Sequence, residues 1–214
     1  MLQCTAACGG AIIHAKIRPV KVIGLTGGVG MGKSACAQLL QWRGAAVVDA
    51  DELARKAVAP DQPALAEIRE GFGQDIVGPD GQLKRGELAQ IVFADATARR
   101  RLEGILHPRI RDLWRAQIET WRNEGRPLAV VVIPLLFETQ AEGEFDTVIC
   151  VACSAATQRQ RLLARGWPPE QIEQRIAAQL PIEEKMARSH HVIWTEAGMD
   201  VHAQQVYRIV PPAR

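Results

Sequence analysis

Five short apolar runs punctuate the chain: Val20 to Leu25, Ala45 to Val48, Leu128 to Ile133, Thr147 to Val151 and His191 to Trp194. In these runs apolar residues follow one another with little polar alternation. Such a strand has no face to offer water and must be covered on both sides, as parallel strands are when helices flank them. Leu128 to Ile133 carries the strongest signal, a β-branched run closed by Pro134. Between the runs the pattern turns helical. Gly27 to Gly32 predicts a loop, and Ser34 to Arg43 a helix with Leu39, Leu40 and Trp42 among its apolar positions. The expected fold class is α/β, an open parallel sheet of about five strands flanked by helices.

Two helical stretches are too long to be simple crossovers. One runs from Glu52 to Asn123, with a turn signal at Gly78-Pro79-Asp80-Gly81. The other covers Ala155 to Arg188 and is rich in arginine: Arg159, Arg161, Arg165 and Arg175. In it, Ser154 can cap a helix that runs to about Ala164, with Gly166 as its stop. The expected organisation is a core of residues 21–51, 124–154 and 189–207, a helical substrate subdomain at 52–123 and a helical lid at 155–188. Residues 1–20 lack periodicity and are expected to be a disordered extension.

Composition narrows the class without naming an activity. The chain has 214 residues, 47% of them hydrophobic and 23% charged, enough to bury a core without metal or disulfide staples. A net charge of +2 with interspersed acids and bases lacks the clustered basic stripe of a nucleic-acid binder. No run reaches the ~18 apolar residues of a membrane span. The first twenty residues lack the basic start and unbroken apolar stretch of a secretory signal, so the expected location is the cytoplasm. Five cysteines, Cys4, Cys8, Cys36, Cys150 and Cys153, are an odd set that fits a reducing compartment. Cys150 and Cys153 have CxxC spacing, but Cys150 ends a strand-like run and not a loop opening a helix, so buried thiols are the first expectation and a zinc or redox role the second.

The chemistry begins after the first run. Gly27-Gly28-Val29-Gly30-Met31-Gly32-Lys33-Ser34 matches GxxxxGK[ST], and it follows a predicted strand and opens a predicted helix. Glycines let N–H groups converge on phosphates, and the following helix adds the positive end of its dipole. In such a loop residues 28–35, that is Gly28, Val29, Gly30, Met31, Gly32, Lys33, Ser34 and Ala35, surround ATP. Lys33 reaches the β- and γ-phosphates, and the Ser34 hydroxyl joins the shell of Mg²⁺. A guanine switch would need N-K-x-D, and Asn123, the only asparagine, is followed by Glu124-Gly125-Arg126. A short chain with one such loop, a helical insert and an arginine-rich excursion fits a small-molecule kinase.

Asp49-Ala50-Asp51 closes the second run, where ligands sit in open α/β sheets. One reading gives Asp51 the proton of an attacking hydroxyl and Asp49 a supporting role. The other makes the pair a turn with Asp51 capping a helix that starts at Glu52. Arg55, four residues on, shares the face of Asp51. Arg161 and Arg165 repeat that spacing, either closing over a nucleotide or forming a solvated basic face; Arg175 and Gln179 repeat it again. His190-His191 is expected to be structural.

Together these residues resemble the dephospho-CoA kinase family. The likeness runs from Ile23-Gly24-Leu25-Thr26 into the phosphate loop, through Asp49-Ala50-Asp51 and Ala54-Arg55, Leu106-His107-Pro108, Pro134-Leu135-Leu136-Phe137-Glu138 and Thr157-Gln158, to Arg175-Ile176-Ala177-Ala178-Gln179 and Glu184-Lys185. It covers about Lys21 to Val206. The resemblance implies a P-loop NTPase-type sheet, and phosphorylation by ATP of the ribose 3′-hydroxyl of dephospho-CoA. It implies Asp51 as base, Lys33 and Ser34 on ATP and Mg²⁺, and Arg161 and Arg165 as lid residues that bind ATP, with Asp51, Lys33 and Arg161 catalytic. It also places Asp49, Arg55, Arg85, His107, Pro134, Leu135 and Glu138 near the acceptor. Met31 and Ala35 stand where the family often has Ser and Thr, and Ser189-His190 where it often has Ala-Asp. Other small-molecule P-loop kinases, of the nucleoside monophosphate or shikimate type, and a non-catalytic nucleotide-binding module are the alternatives.

Overall fold

A computed structural model describes residues 20–211. The expected extension at 1–20 lies, but for Val20, outside the described residues. Five strands form one sheet: β1 (Lys21–Gly27), β2 (Ala46–Asp49), β3 (Leu128–Val132), β4 (Thr147–Ala152) and β5 (His191–Trp194). Every pairing is parallel and the spatial order is β2-β3-β1-β4-β5. All five apolar runs became strands, β1 extending two residues further than expected, to Gly27.

The sheet divides its side chains with a period of two. Val22, Ala129, Val131 and Val148 face one apolar layer, built with Trp114, Ile118 and Trp121 of α5 (Ala96–Asn123) and Leu53 of α2 (Ala50–Ala57). Ile23, Leu25, Val130, Val132, Ile149 and Val151 face the other, built with Cys36, Leu39 and Leu40 of α1 (Lys33–Trp42). Two-sided burial is why the strands read as unbroken apolar runs.

The stretch between β2 and β3 resolves into α2, α3 (Pro63–Phe72), α4 (Arg85–Ala94) and α5. Its expected turn is a small hairpin, in which Val77 and Leu83 pair and the Gly78 N–H donates to Gln82 O. Between β4 and β5 lie α6 (Ala155–Ala164), α7 (Pro169–Ala177) and α8 (Ile182–Arg188). The ends of α6 are those read from the sequence: the Ser154 side chain accepts from the Thr157 N–H, and Gly166 takes a positive φ of 80°. Sequence reading missed one helix, α9 (Met199–Ile209), which packs Val206 into the α1 layer. Its Gln205 amide bonds both the N–H and the carbonyl of Trp194, blunting the open edge of β5. Among the described residues, no helix is long and apolar enough to cross a membrane.

Candidate active site

The phosphate loop forms because β1 must stop against β4. A Cβ on Gly27, at φ 143°, would stand 2.2 Å from the Val151 carbonyl oxygen, so only glycine lets the chain turn there. Gly32, left-handed at φ 99°, then launches α1 with no side-chain cap, leaving the first N–H groups of the helix for an external anion. The Lys33 ammonium folds back over the loop, donating to Gly27 O and Gly28 O at 2.9 Å each. Burial, with the nearby Lys185 charge, brings its pKa down to about 8. The Val29 peptide is gripped from both sides, since its N–H donates to Gln179 Oε1 (3.0 Å) and its carbonyl accepts from Gln158 Nε2 (2.8 Å). Met31 points away from the loop's concave face, into an apolar cluster with Ala152, Cys153, Ile182 and Met186. A side chain that packs there is compatible with a loop that works through its backbone.

Two cavities meet at the carboxyl ends of the strands. The polar one, about 460 Å³, is lined by Val29, Gly30, Gly32, Lys33, Ser34, Ala35, Asp49, Asp51, Arg165, Arg175 and Gln179, among others. The more apolar one, about 350 Å³, is lined by His107, Pro108, Ile110, Arg111, Trp114 and Arg115 with neighbours from β3 onward. Asp51, Pro134 and Leu135 line both. These three therefore stand at the passage between a phosphate cradle and a pocket with an apolar wall.

The two aspartates do different jobs, and the helix-cap reading of the sequence needs correction. Asp49, not Asp51, is the cap: its Oδ1 accepts the Asp51 N–H at 2.7 Å, and α2 starts at Ala50 instead of Glu52. Asp51 is thereby left in the first turn with its carboxylate facing the cavities. The walls of the cleft strip water from it, and the Asp49 charge adds to the effect, so its pKa is raised above 3.8 against the opposing pull of Lys33 and Arg55.

The remaining residues singled out in the sequence are scattered more widely. Gly28 belongs to the loop, where its Cβ position would crowd the Met31 sulfur. Arg165 lines the polar cavity, whereas Arg161 is engaged elsewhere, donating from Nη1 to Thr195 Oγ1 at 2.8 Å and from Nη2 to the Thr195 carbonyl. The Thr195 hydroxyl in turn donates to Met31 O at 2.9 Å, so α6 is tied through β5's end to the phosphate loop. His107 lines the apolar cavity, and burial lowers its pKa. Arg55 and Arg85 are exposed on α2 and α4 and line neither cavity. His190 is structural: its Nδ1 accepts the Val148 N–H at 3.0 Å, extending the pairing of β4 and β5. Cys36, Cys150 and Cys153 are buried, and burial pushes the first two thiols up to about 12 and about 11.

Glu138 is held from far along the chain. Lys185 of α8 is wholly buried, and its ammonium donates to Glu138 Oε1 and Pro134 O, each at 2.7 Å. Glu138 Oε1 also accepts the Leu180 N–H. The bridge fixes the Pro134–Leu135 corner that both cavities share. Removing one partner of a buried pair leaves the other charged and unsolvated, at a cost of about 3–5 kcal/mol. Lys185→Ala should thus lower the Tm by roughly 10 °C, read by calorimetry. A Tm within about 2 °C of wild type would refute this anchoring role.

A phosphate loop after the first strand of a parallel β2-β3-β1-β4-β5 sheet, faced by an aspartate at the end of the second, defines the P-loop nucleotide-binding class. Comparison with known proteins is more specific. The family model described as dephospho-CoA kinase matches residues 21–200. The dephospho-CoA kinase of Anaeromyxobacter dehalogenans is 45% identical over 196 residues, 91% of this chain and 93% of that protein. That of Geobacter sulfurreducens is 46% identical over 175 residues, 81% and 89% of the two chains. The crystal structure of TT1252 from Thermus thermophilus superposes with a TM-score of 0.79 at 33% identity, covering 90% of this chain and 97% of the other. The chain belongs to the dephospho-CoA kinase family.

Proposed function

We propose that the chain transfers the γ-phosphoryl group of ATP to the ribose 3′-hydroxyl of dephospho-CoA, giving CoA and ADP, the last step of coenzyme A synthesis. The observation that carries this reading is the position of Asp51, shared by the phosphate cradle and the apolar-walled cavity. ATP's phosphates occupy the cradle, with loop N–H groups and the start of α1 as donors. Lys33 leaves the Gly27 and Gly28 carbonyls for phosphate oxygens. The acceptor enters from the other side. Its pantetheine arm suits the wall of Ile110, Trp114 and Pro108, and its pyrophosphate suits Arg111 and Arg115. Asp51 then orients the 3′-hydroxyl and takes its proton. The helices between β2 and β3 form the acceptor subdomain, and α6 to α8 form the lid.

The oxygen donors on the cradle also fit Mg²⁺, a hard cation. The exposed Ser34 hydroxyl and the Asp49 and Asp51 carboxylates line one cavity. When bound, the ion neutralises charge on the β- and γ-phosphates. The buried thiols suit a reducing compartment, and the cytoplasm is the proposed one.

ADP release, measured with dephospho-CoA, with shikimate, with nucleoside monophosphates and with no acceptor, tests the assignment. Turnover should depend on dephospho-CoA; equal turnover with another acceptor, or with none, would refute it. The lid reading has its own test. Arg165→Ala removes a cation from the cradle, and Arg161→Ala cuts the tie from α6 to Thr195. Each should lower kcat/KM for ATP by about tenfold, the scale of one charged hydrogen bond. Wild-type constants in both variants would return α6 to a solvated basic face.

A further inference from the structure

Arg175 is held in an unusual way for a lid residue. It lies near the end of α7, and its guanidinium packs over two rings, Trp167 at 4.9 Å and Phe93 at 5.5 Å from the ring centroids. Trp167 belongs to the same helical segment, in the turn before α7. Phe93 belongs to α4, between β2 and β3, and is 45% exposed, so this contact joins two segments far apart in the chain across one cavity. The two rings fix the plane of the guanidinium at little entropic cost, as cation–π contacts do.

The stacked group is not satisfied. Its Nε is buried and has no hydrogen-bond partner among the described residues. A buried donor without a partner costs about 1–3 kcal/mol, and a catalytic role is one of the explanations for such a group. Arg175 also lines the polar cavity, together with Lys33, Ser34 and Asp51, and its charge is felt at the Asp51 carboxyl. Four residues on, Gln179 accepts the Val29 N–H, which pins the end of α7 to the phosphate loop. Arg161, by contrast, spends two of its donors on Thr195. Arg165 and Arg175 both line the cradle with donors to spare, but it is Arg175 whose guanidinium is stacked in place and whose charge reaches Asp51.

We propose that Arg175 is a catalytic residue that donates to the phosphoryl group in transit between ATP and the hydroxyl at Asp51, held in place by Trp167 and Phe93. The inference rests on the phosphoryl transfer proposed above. It divides the arginines of the lid. Arg161 ties α6 to the phosphate loop, Arg165 adds charge to the cradle, and Arg175 meets charge that spreads over the equatorial oxygens in the transition state. It also makes Phe93 a gate contact, because the stack is complete only while α4 and α7 are together.

Steady-state kinetics at saturating ATP and dephospho-CoA test this. Arg175→Ala should lower kcat about 10²-fold. Guanidinium at sub-denaturing concentration should restore at least a tenth of the lost rate in a saturable manner, which a purely structural role would not allow. Arg175→Lys, which keeps the charge but not the planar fork, should stay well below wild type. Trp167→Ala should show a smaller loss, in kcat more than in KM for ATP. The proposal is overturned if Arg175→Ala keeps kcat within threefold of wild type. It is equally overturned if the loss tracks a fall in Tm and guanidinium restores nothing. A wild-type chain that releases no ADP with dephospho-CoA would instead refute the reaction itself, so the two failures are distinct.

Discussion

Lys33→Ala is expected to lower kcat by at least about 10²–10³-fold while leaving the fold and its Tm close to wild type. The lysine contributes little to the core: it is half-buried, and its ammonium bonds only the carbonyls of Gly27 and Gly28, which water can serve in its absence. In the proposed transfer its value lies in charge that follows the γ-phosphoryl group as the bond to ADP lengthens. A second measurement uses its pKa of about 8, lowered first by burial and then by Lys185. Near pH 8 about half of the ligand-free molecules carry the charge, and phosphate anions favour the charged form. ATP binding should therefore take up protons, at most about half a proton per site near pH 8 and almost none at pH 6, where Lys33 is already charged. Calorimetric titrations in buffers of different ionisation enthalpy read this uptake, which should vanish in Lys33→Ala. A folded variant with wild-type turnover, or undiminished proton uptake, would remove Lys33 from the phosphate site.

How far the sequence leads depends on whether a feature is local. The central strands were legible because burial on both faces writes itself as a continuous apolar run, whereas the short His191–Trp194 edge strand buries only Ile193. The ends of α6 were legible because Ser154 and Gly166 act within one turn of themselves. The phosphate loop was legible because Gly27 cannot be replaced without driving a Cβ into Val151 O. α9 was not, because its buried face is thin: His202 and Val206 carry it, diluted by Asp200, Gln204 and Gln205. The anchoring role of Lys185 was not, because Glu184-Lys185 carries only a family likeness in the sequence, and its partner Pro134 O is 51 residues away. Arg161 and Arg165 look alike in spacing, yet Thr195, 34 residues on from Arg161, separates their roles. The division between Asp49 and Asp51 also escaped the sequence, since either could cap a helix and only the starting residue of α2 decides.

Asp51→Asn is expected to lower kcat by about 10²–10⁴-fold, the range of a general base, with ATP affinity little changed. The substitution keeps shape and hydrogen bonding but removes charge and basicity. Asp51 is suited to the task on three counts. Its own N–H is spent on Asp49, its carboxylate has no partner among the described residues, and it fronts both cavities. Phosphoryl transfer through a loose transition state asks more for positioning than for strong basicity. Burial and the Asp49 charge nonetheless raise the Asp51 pKa, so it is a somewhat better base than an ordinary aspartate. The sign of the pH effect follows. The carboxylate is active only when deprotonated, and a raised pKa moves its protonation to higher pH. The acid limb of the kcat profile should therefore fall above 3.8, and Asp51→Asn should abolish that limb along with the rate. Asp49→Asn separates the pair. It retains an acceptor oxygen for the Asp51 N–H, so α2 should keep its start, but it removes the neighbouring charge. Its acid limb should shift downward, toward 3.8, with a much smaller loss of kcat. A folded Asp51→Asn enzyme with kcat within about twofold of wild type would exclude Asp51 as the base. A loss of ATP affinity as large as the loss of rate would assign it to organising the metal instead.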